Sequence, residues 1–313
     1  MPPQSLRSLE TIRDVRIGAG SFLALCNHAY ALKYLTLQLK PEVIPHLSLL
    51  RSCLALEVLN LTTDETGSID LETIDLEAFR EVTIWLTECT MLKSLIFAEF
   101  GVSVAVMVTP LLVQNPGQLE ELQVEWYHGQ DNGQFHQALT YQSPSLLSLS
   151  LRGESAQSRD EMDTMVDNLS QLTGLRHLQL REISDNFSDR HITQLAENLT
   201  ELEELVIGGL GPTDEVLDSL SQLHKLRSLT LTGISRFTAD ALIRFVDSLG
   251  SGNSGLILNI DMADSNFPLT DKEQEEVRQL LERKVGGRLD YTFWRGIVYY
   301  LVSWRSNADY FRS

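Results

Sequence analysis

Apolar residues along this chain alternate between two spacings. In the first they occupy positions one, four and six of a six-residue frame, as in Leu226-Arg227-Ser228-Leu229-Thr230-Leu231. The frame also starts at Leu32, Leu56, Leu92, Leu119, Leu146, Leu175 and Leu202, and weaker copies run from Ile12 to Ile17 and from Gly255 to Ile260. Most starts lie 24 to 29 residues apart, with one longer step of 36. The period of two inside the frame predicts a short strand whose fourth and sixth residues face one way and whose third, fifth and seventh face the other. Between frames the spacing becomes helical, as in Ile192, Leu195, Ala196 and Leu199, or Leu242, Phe245, Val246 and Leu249. These segments open with capping residues, at Ser188-Asp189, Thr213-Asp214 and Thr238. A unit is therefore a strand, a turn carrying Ile183, Leu210 or Ile234 inward, a capped helix and a return.

Strand and helix repeating at this period define an α/β leucine-rich repeat solenoid. About ten parallel strands line the concave face, helices cover the convex face, and the connections are right-handed. Units that touch mainly their neighbours let one elongated body use the whole length, so residues 1–268 are expected to form the solenoid. Residues 269–313 are expected to form a C-terminal unit. It holds an amphipathic helix from Thr270 to Lys284, a last strand through Leu289, Tyr291 and Phe293, and an aromatic tail with Trp294, Tyr299, Tyr300, Trp304 and Phe311. The tail is expected to fold back as a cap, or else to meet a partner or a membrane surface; its apolar stretch is too short to span a bilayer. Residues 1–11 are too short for an opening cap. Either a preceding segment is missing, or a partner covers the first strand, or that strand tolerates exposure.

Charge narrows the partners. The chain carries −18 at neutral pH, with 25 Lys and Arg against 43 Asp and Glu, which disfavours nucleic acid and anionic membranes and points to a neutral or basic protein. Met1-Pro2-Pro3-Gln4-Ser5 opens no secretory signal, so the protein is expected in the cytoplasm or nucleus. Cys26, Cys53 and Cys89 are then small buried hydrophobes near helix ends, and the sequons at Asn60, Asn168, Asn186 and Asn198 stay unmodified. No cofactor or metal set is indicated, since His28 beside Cys26 is too little to hold zinc. No catalytic constellation stands out. Gly208-Gly209-Leu210-Gly211 resembles a phosphate loop in position, but Asp214 and Glu215 at the helix start repel anions and no lysine follows. Two departures from the repeat, Thr62 to Asp70 and Trp126 to Gly133, are candidate contact loops, with Tyr127 instead filling the inward turn position.

The remaining chemistry lies in the third, fifth and seventh frame positions. Ten strands offer a face of about 45 by 16 Å, on the order of 700 Å², similar to one side of a standard protein interface. Its centre carries Glu121, Glu125, Trp126, Arg152, His177, Arg181 and Glu204, the residues expected to bind a partner, although any one of them equally suits a solvated mixed-charge surface. The Leu-x-x-Leu-x-Leu strands followed by Thr-Asp or Ser-Asp helix starts resemble the ribonuclease-inhibitor-like leucine-rich repeats, in particular the repeat region of fungal F-box proteins. That resemblance covers about residues 12 to 290. It implies a non-enzymatic substrate receptor of a ubiquitin ligase, with the target on the repeats and a Skp1-type adaptor on an N-terminal F-box. No room for an F-box exists before Ile12, so the adaptor is expected only if such a segment is missing from the chain. The alternatives are a free-standing scaffold or inhibitor and, more remotely, a GTPase-activating leucine-rich repeat protein using Arg152 or Arg181.

Overall fold

A computed structural model describes residues 5–11, 17–63, 70–101, 103–126, 132–153, 158–183, 187–208 and 211–293. Eleven strands form one parallel sheet in sequence order: β1 Ser8–Glu10, β2 Tyr34–Leu39, β3 Val58–Thr63, β4 Ser94–Ala98, β5 Glu121–Glu125, β6 Ser148–Arg152, β7 His177–Arg181, β8 Glu204–Gly208, β9 Ser228–Thr232, β10 Ile257–Ala263 and β11 Arg288–Phe293. Neighbouring strands are joined by helices, as parallel pairing requires. These are α1 Ala19–Cys26, α2 Leu71–Ile74, α3 Leu76–Glu88, α4 Val104–Gln114, α5 Gly133–Thr140, α6 Arg159–Leu169, α7 Asp189–Asn198, α8 Glu215–Leu220, α9 Ala239–Ser248 and α10 Asp271–Val285. Between β2 and β3 the connection is a 3-10 helix, Pro41–Ser52, into which Pro45 is built. Helices pack about 8–10 Å apart and strands about 4.8 Å apart, so the helical layer is the wider and the sheet lines the inside of an open leucine-rich repeat solenoid.

The frames fix the register. Leu35, Leu59, Leu95, Leu122, Leu149, Leu178, Leu205, Leu229, Leu258 and Leu289 pair in one unbroken row, and each is at most 3% exposed. Each contributes roughly 1.5–3 kcal/mol by burial, and it can do so only because the next repeat covers it. One frame was assigned wrongly. The first strand is Ser8–Glu10, with Leu9 paired to Leu35, so the opening frame begins at Leu6 rather than at Ile12, and residues 5–11 supply a strand of the sheet after all. Leu6 and Leu9 give a repeat length nearer to the others than Ile12 does. Residues 12–16 lie outside the described residues, as do Tyr127, Leu210, the tail from Trp294 and most of both candidate loops; Ile183 is buried and Ile234 half-buried. Cys53 and Cys89 are fully buried, where loss of solvation pushes both thiols up to about 12. Cys26 is only half-buried, and its thiol donates to the Leu49 carbonyl.

Two kinds of backbone bond tie one repeat to the next. At the start of most strands, the carbonyl of frame position two accepts from two amides of the following repeat, as Glu57 O does from the N–H groups of Lys93 and Ser94, and Glu120 O from those of Leu147 and Ser148; Arg227 O and Leu256 O accept one each. Behind these, the turns from helix to strand leave carbonyls pointing inward, and buried or half-buried amide side chains reach back to them. Gln118 Nε2 donates to Cys89 O and Leu92 O, Gln142 Nε2 to Leu112 O and Asn115 O, and Asn253 Nδ2 to Leu223 O and Leu226 O. Gln142 Oε1 also accepts from the N–H groups of Gln118 and Leu119, so this fully buried amide has four backbone partners. At the C-terminal end, Thr270 and Glu273 form a capping box for α10, and Gly286 closes it at φ 68, the left-handed conformation a non-glycine residue rarely adopts. The α10 surface away from the core carries Glu275, Glu276, Glu282 and Arg283.

Candidate partner-binding face

Strand alternation carries the seven residues singled out from the sequence onto the exposed side of the sheet or its edge. Glu121, His177 and Glu204 share the row that runs through Ser148, and Glu125, Arg152 and Arg181 share the row at the far end of the strands. Hydrogen bonds fix several of them. Ser94 Oγ donates to Glu121 Oε2 at 2.6 Å, Gln123 Nε2 to Glu125 Oε1 at 2.9 Å and Gln179 Nε2 to Glu204 Oε1 at 2.7 Å. Arg181 is exposed and His177 half-buried, at the ends of β7. Between them β6 presents Ser148, Ser150 and Arg152, so two small side chains and one arginine lie between a Glu121-Gln123-Glu125 strand and a His177-Gln179-Arg181 strand.

Two functional candidates that the sequence reading passed over complete the edge. Glu99 and Glu182 follow β4 and β7 in the frame's eighth position. Glu99 Oε2 accepts the Trp126 indole N–H at 2.7 Å, Glu99 Oε1 lies 3.8 Å from Arg152, and the Arg152 guanidinium lies 3.5 Å from Glu182 on its other side. Glu125 Oε2 accepts the backbone N–H of Glu99. Arg152 thus pairs with none of the three glutamates named from the sequence. It bridges the residues after β4 and β7, with Trp126 half-buried beside it. Glu99, Trp126, Glu182 and Met262, all in position eight, adopt φ between 58 and 65, and Gly233 in the same position also has a positive φ, of 103. A left-handed residue with a side chain costs roughly 1–2 kcal/mol, held by the surrounding sheet, and such strain collects at functional positions. The cue was available in the sequence: Gly153, Gly209 and Gly233 occupy the eighth position of three repeats, and bulky residues replace glycine in the others.

Other arrangements with chemical potential are structural. Ser188, His191 and Asp163 line up, with Ser188 Oγ 3.2 Å from His191 Nδ1 and His191 Nε2 2.6 Å from Asp163 Oδ1. The Nδ1 lone pair already receives the Ser188 backbone N–H at 3.1 Å, so the imidazole caps α7 in place of the usual glutamate and is not a free base. It is only 1% exposed, and its hydrogen bond holds the Asp163 carboxyl below its ordinary range. Among the described residues no group of three or more His, Cys, Asp or Glu could hold a metal ion, and no helix is long and apolar enough to cross a membrane. Surface depressions border Asp189, Arg190 and Glu215, and Arg176, Glu203 and Arg227, away from the Arg152 edge. The Arg152 face is broad and open, a shape that suits a macromolecule better than a small ligand.

No family model and no curated protein matches the chain. Its fold is similar to that of solved leucine-rich repeat proteins. One is Rad7, solved in complex with Elc1 in yeast, at 14% identity over 90% of this chain and 74% of that one, with a TM-score of 0.51. An internalin of Listeria monocytogenes aligns at 17% identity over 91% of this chain and 81% of that one, with a TM-score of 0.48. The leucine-rich repeat-containing protein LegL7 of Legionella pneumophila aligns at 11% identity over 95% and 93%, with a TM-score of 0.46. At these identities the likeness concerns the fold.

Proposed function

We propose that this protein is a protein-interaction module that holds a neutral or basic protein partner on the exposed face of its sheet, with the edge around Arg152 as the anchor. The observation that carries this reading is the Glu99–Trp126–Arg152–Glu182 cluster. A half-buried tryptophan and an arginine, the side-chain types that dominate interface energetics, stand together on a rigid sheet, held by Glu99 and Glu182. In this reading the surrounding Glu121, Glu125, His177, Arg181 and Glu204 are contact residues, α10 and β11 close the stack with a charged outer surface, and the protein works in the cytoplasm or nucleus. A finer version makes it a substrate receptor of a ubiquitin ligase. It draws on the resemblance to fungal F-box repeat regions and on the fold shared with Rad7, which was solved with Elc1. A Skp1-type adaptor would then be recruited by a segment other than the repeats.

The test is comparative affinity purification from the source organism. Trp126→Ala/Arg152→Glu is expected to lose at least tenfold of the partner captured by the wild type, the scale of about 1.4 kcal/mol or more for a central anchor. A control, Gln194→Glu on the convex side, should keep it. Equal capture by all three proteins removes this edge as the binding site.

A further inference from the structure

The edge where the strands begin carries a second pattern, independent of the Arg152 cluster. Frame position two reads Lys33, Glu57, Lys93 and Glu120 on the successive strands β2 to β5, and the register puts these four in one row. Lys33 Nζ lies 2.5 Å from Glu57 Oε1 and Lys93 Nζ 2.7 Å from Glu120 Oε1. The Lys33 ammonium holds the Glu57 carboxyl below its ordinary range, and Glu120 raises the Lys93 ammonium. Lys33, Lys93 and Glu120 remain between 43% and 55% exposed. Immediately before the same strands, exposed apolar side chains replace the polar ones found later in the chain: Tyr30 at 83% exposure, Leu54 at 41% and Met91 at 55%. The fourth place holds Gly117, exposed at φ 66 with only Ser145 Oγ near the space a side chain would take. Arg51 and Glu88 add a further ion pair at 3.6 Å, so this edge is neutral in a chain of −18.

An alternating row of four charges has a specific symmetry. Reversed end to end it reads Glu, Lys, Glu, Lys, which is its own electrostatic complement. We propose that the edge formed by β2 to β5 joins two copies of this chain about a two-fold axis between β3 and β4. Lys33 then faces Glu120 of the second copy and Glu57 faces its Lys93, so each ammonium sits between two carboxylates. The same rotation leaves the exposed Tyr30, Leu54 and Met91 of the two copies flanking the charge row, one set on either side of it. A self-complementary patch of this kind is what a two-fold contact requires. At helix spacing the four repeats span about 30 Å, and with a width of about 20 Å they offer on the order of 600 Å² per copy, enough for a reversible dimer. The rest of the surface, strongly acidic, keeps copies apart elsewhere. The Arg152 edge lies at the other ends of the strands and stays open in the dimer.

Sedimentation equilibrium of the full chain from roughly 1 to 100 µM in low salt, a range that brackets reversible association, tests this. The mass is expected to rise from 35.2 kDa toward twice that value. Tyr30→Glu should weaken association at least about tenfold, because it places a carboxylate in the contact, while its thermal melting stays that of the wild type. The decisive variant inverts the row: Lys33→Glu/Glu57→Lys/Lys93→Glu/Glu120→Lys. It is expected to dimerise with itself as the wild type does, yet to form at least about tenfold fewer mixed dimers with the wild type, since like charges then meet at all four places. A monomer at every concentration overturns the proposal. So does a dimer that ignores Tyr30→Glu, or one that mixes freely with the inverted variant.

Discussion

Gln142→Leu is expected to lower the stability of the protein by about 4 kcal/mol, more than many deletions of a core leucine side chain. The reason is hydrogen bonding, since leucine fills a similar volume and buries well. Gln142 is fully buried and satisfies two N–H groups, of Gln118 and Leu119, and two carbonyls, of Leu112 and Asn115. Leucine leaves all four without a partner in a site closed to solvent, and each unsatisfied buried group costs roughly 1–3 kcal/mol. Part of that is recovered as water enters or the turn relaxes, which brings the total to the figure given. Gln222, the equivalent residue four places before Leu226, is exposed, and Gln222→Leu is expected to stay within about 0.5 kcal/mol of the wild type. Urea unfolding of both variants measures the contrast, and equal midpoints would show that the amide row is dispensable.

Acid is expected to destabilise the protein through His136. This side chain of α5 is 2% exposed, and loss of solvation pushes its pKa down from 6.5 to about 4 against the opposing field of Glu161. The folded state therefore holds it neutral, while the unfolded chain protonates it below about 6.5. The stability this neutral imidazole contributes is intact above pH 6.5 and is lost as pH falls from 6.5 to 4, to a total of about 3 kcal/mol. His136→Gln cannot titrate. It should begin less stable at pH 7.5 but lose about 2–3 kcal/mol less than the wild type between pH 7.5 and 4.5, the difference cancelling the carboxylates common to both proteins. Parallel losses in the two proteins would show that His136 titrates normally in the folded state.

What the sequence disclosed follows the strength of the signal. The leucine rows were legible because their side chains have one place to go, and a slip of one residue turns them all to water. Eight frames from Leu32 to Leu231 lie on strands where expected. At the N-terminus the signal failed: Ile12, Val15 and Ile17 match the frame in hydrophobicity, yet Leu6 and Leu9 take the strand because the length of the connecting segment, and not apolar content alone, determines which residues reach Leu35. Gln118, Gln142 and Asn253 were not found either. Repeats of this type commonly place asparagine or cysteine in the ninth frame position, whereas the ninth residues here include Lys40, Phe100 and Ile183. The buried amides come instead from the opposite side of the turn, where glutamine reads as an ordinary polar residue. The residues of the exposed face follow from alternation, but their pairing does not: Arg152 meets Glu99 and Glu182, which lie one position beyond the alternating set.

The amides received by the position-two carbonyls bear on how this chain can vary over generations. They fasten the repeats at the same edge, in pairs from Arg7 O to Glu203 O and singly at Arg227 O and Leu256 O, while the opposite edge is held by local contacts that differ from one repeat to another. A segment gained or lost after a strand therefore leaves these bonds untouched, whereas one gained immediately before a strand displaces the residues that make them. Length variation is free on the side that carries Trp126 and Arg152 and forbidden on the side that carries Lys33 and Glu120, so one margin of the molecule is open to new specificities and the other preserves its form.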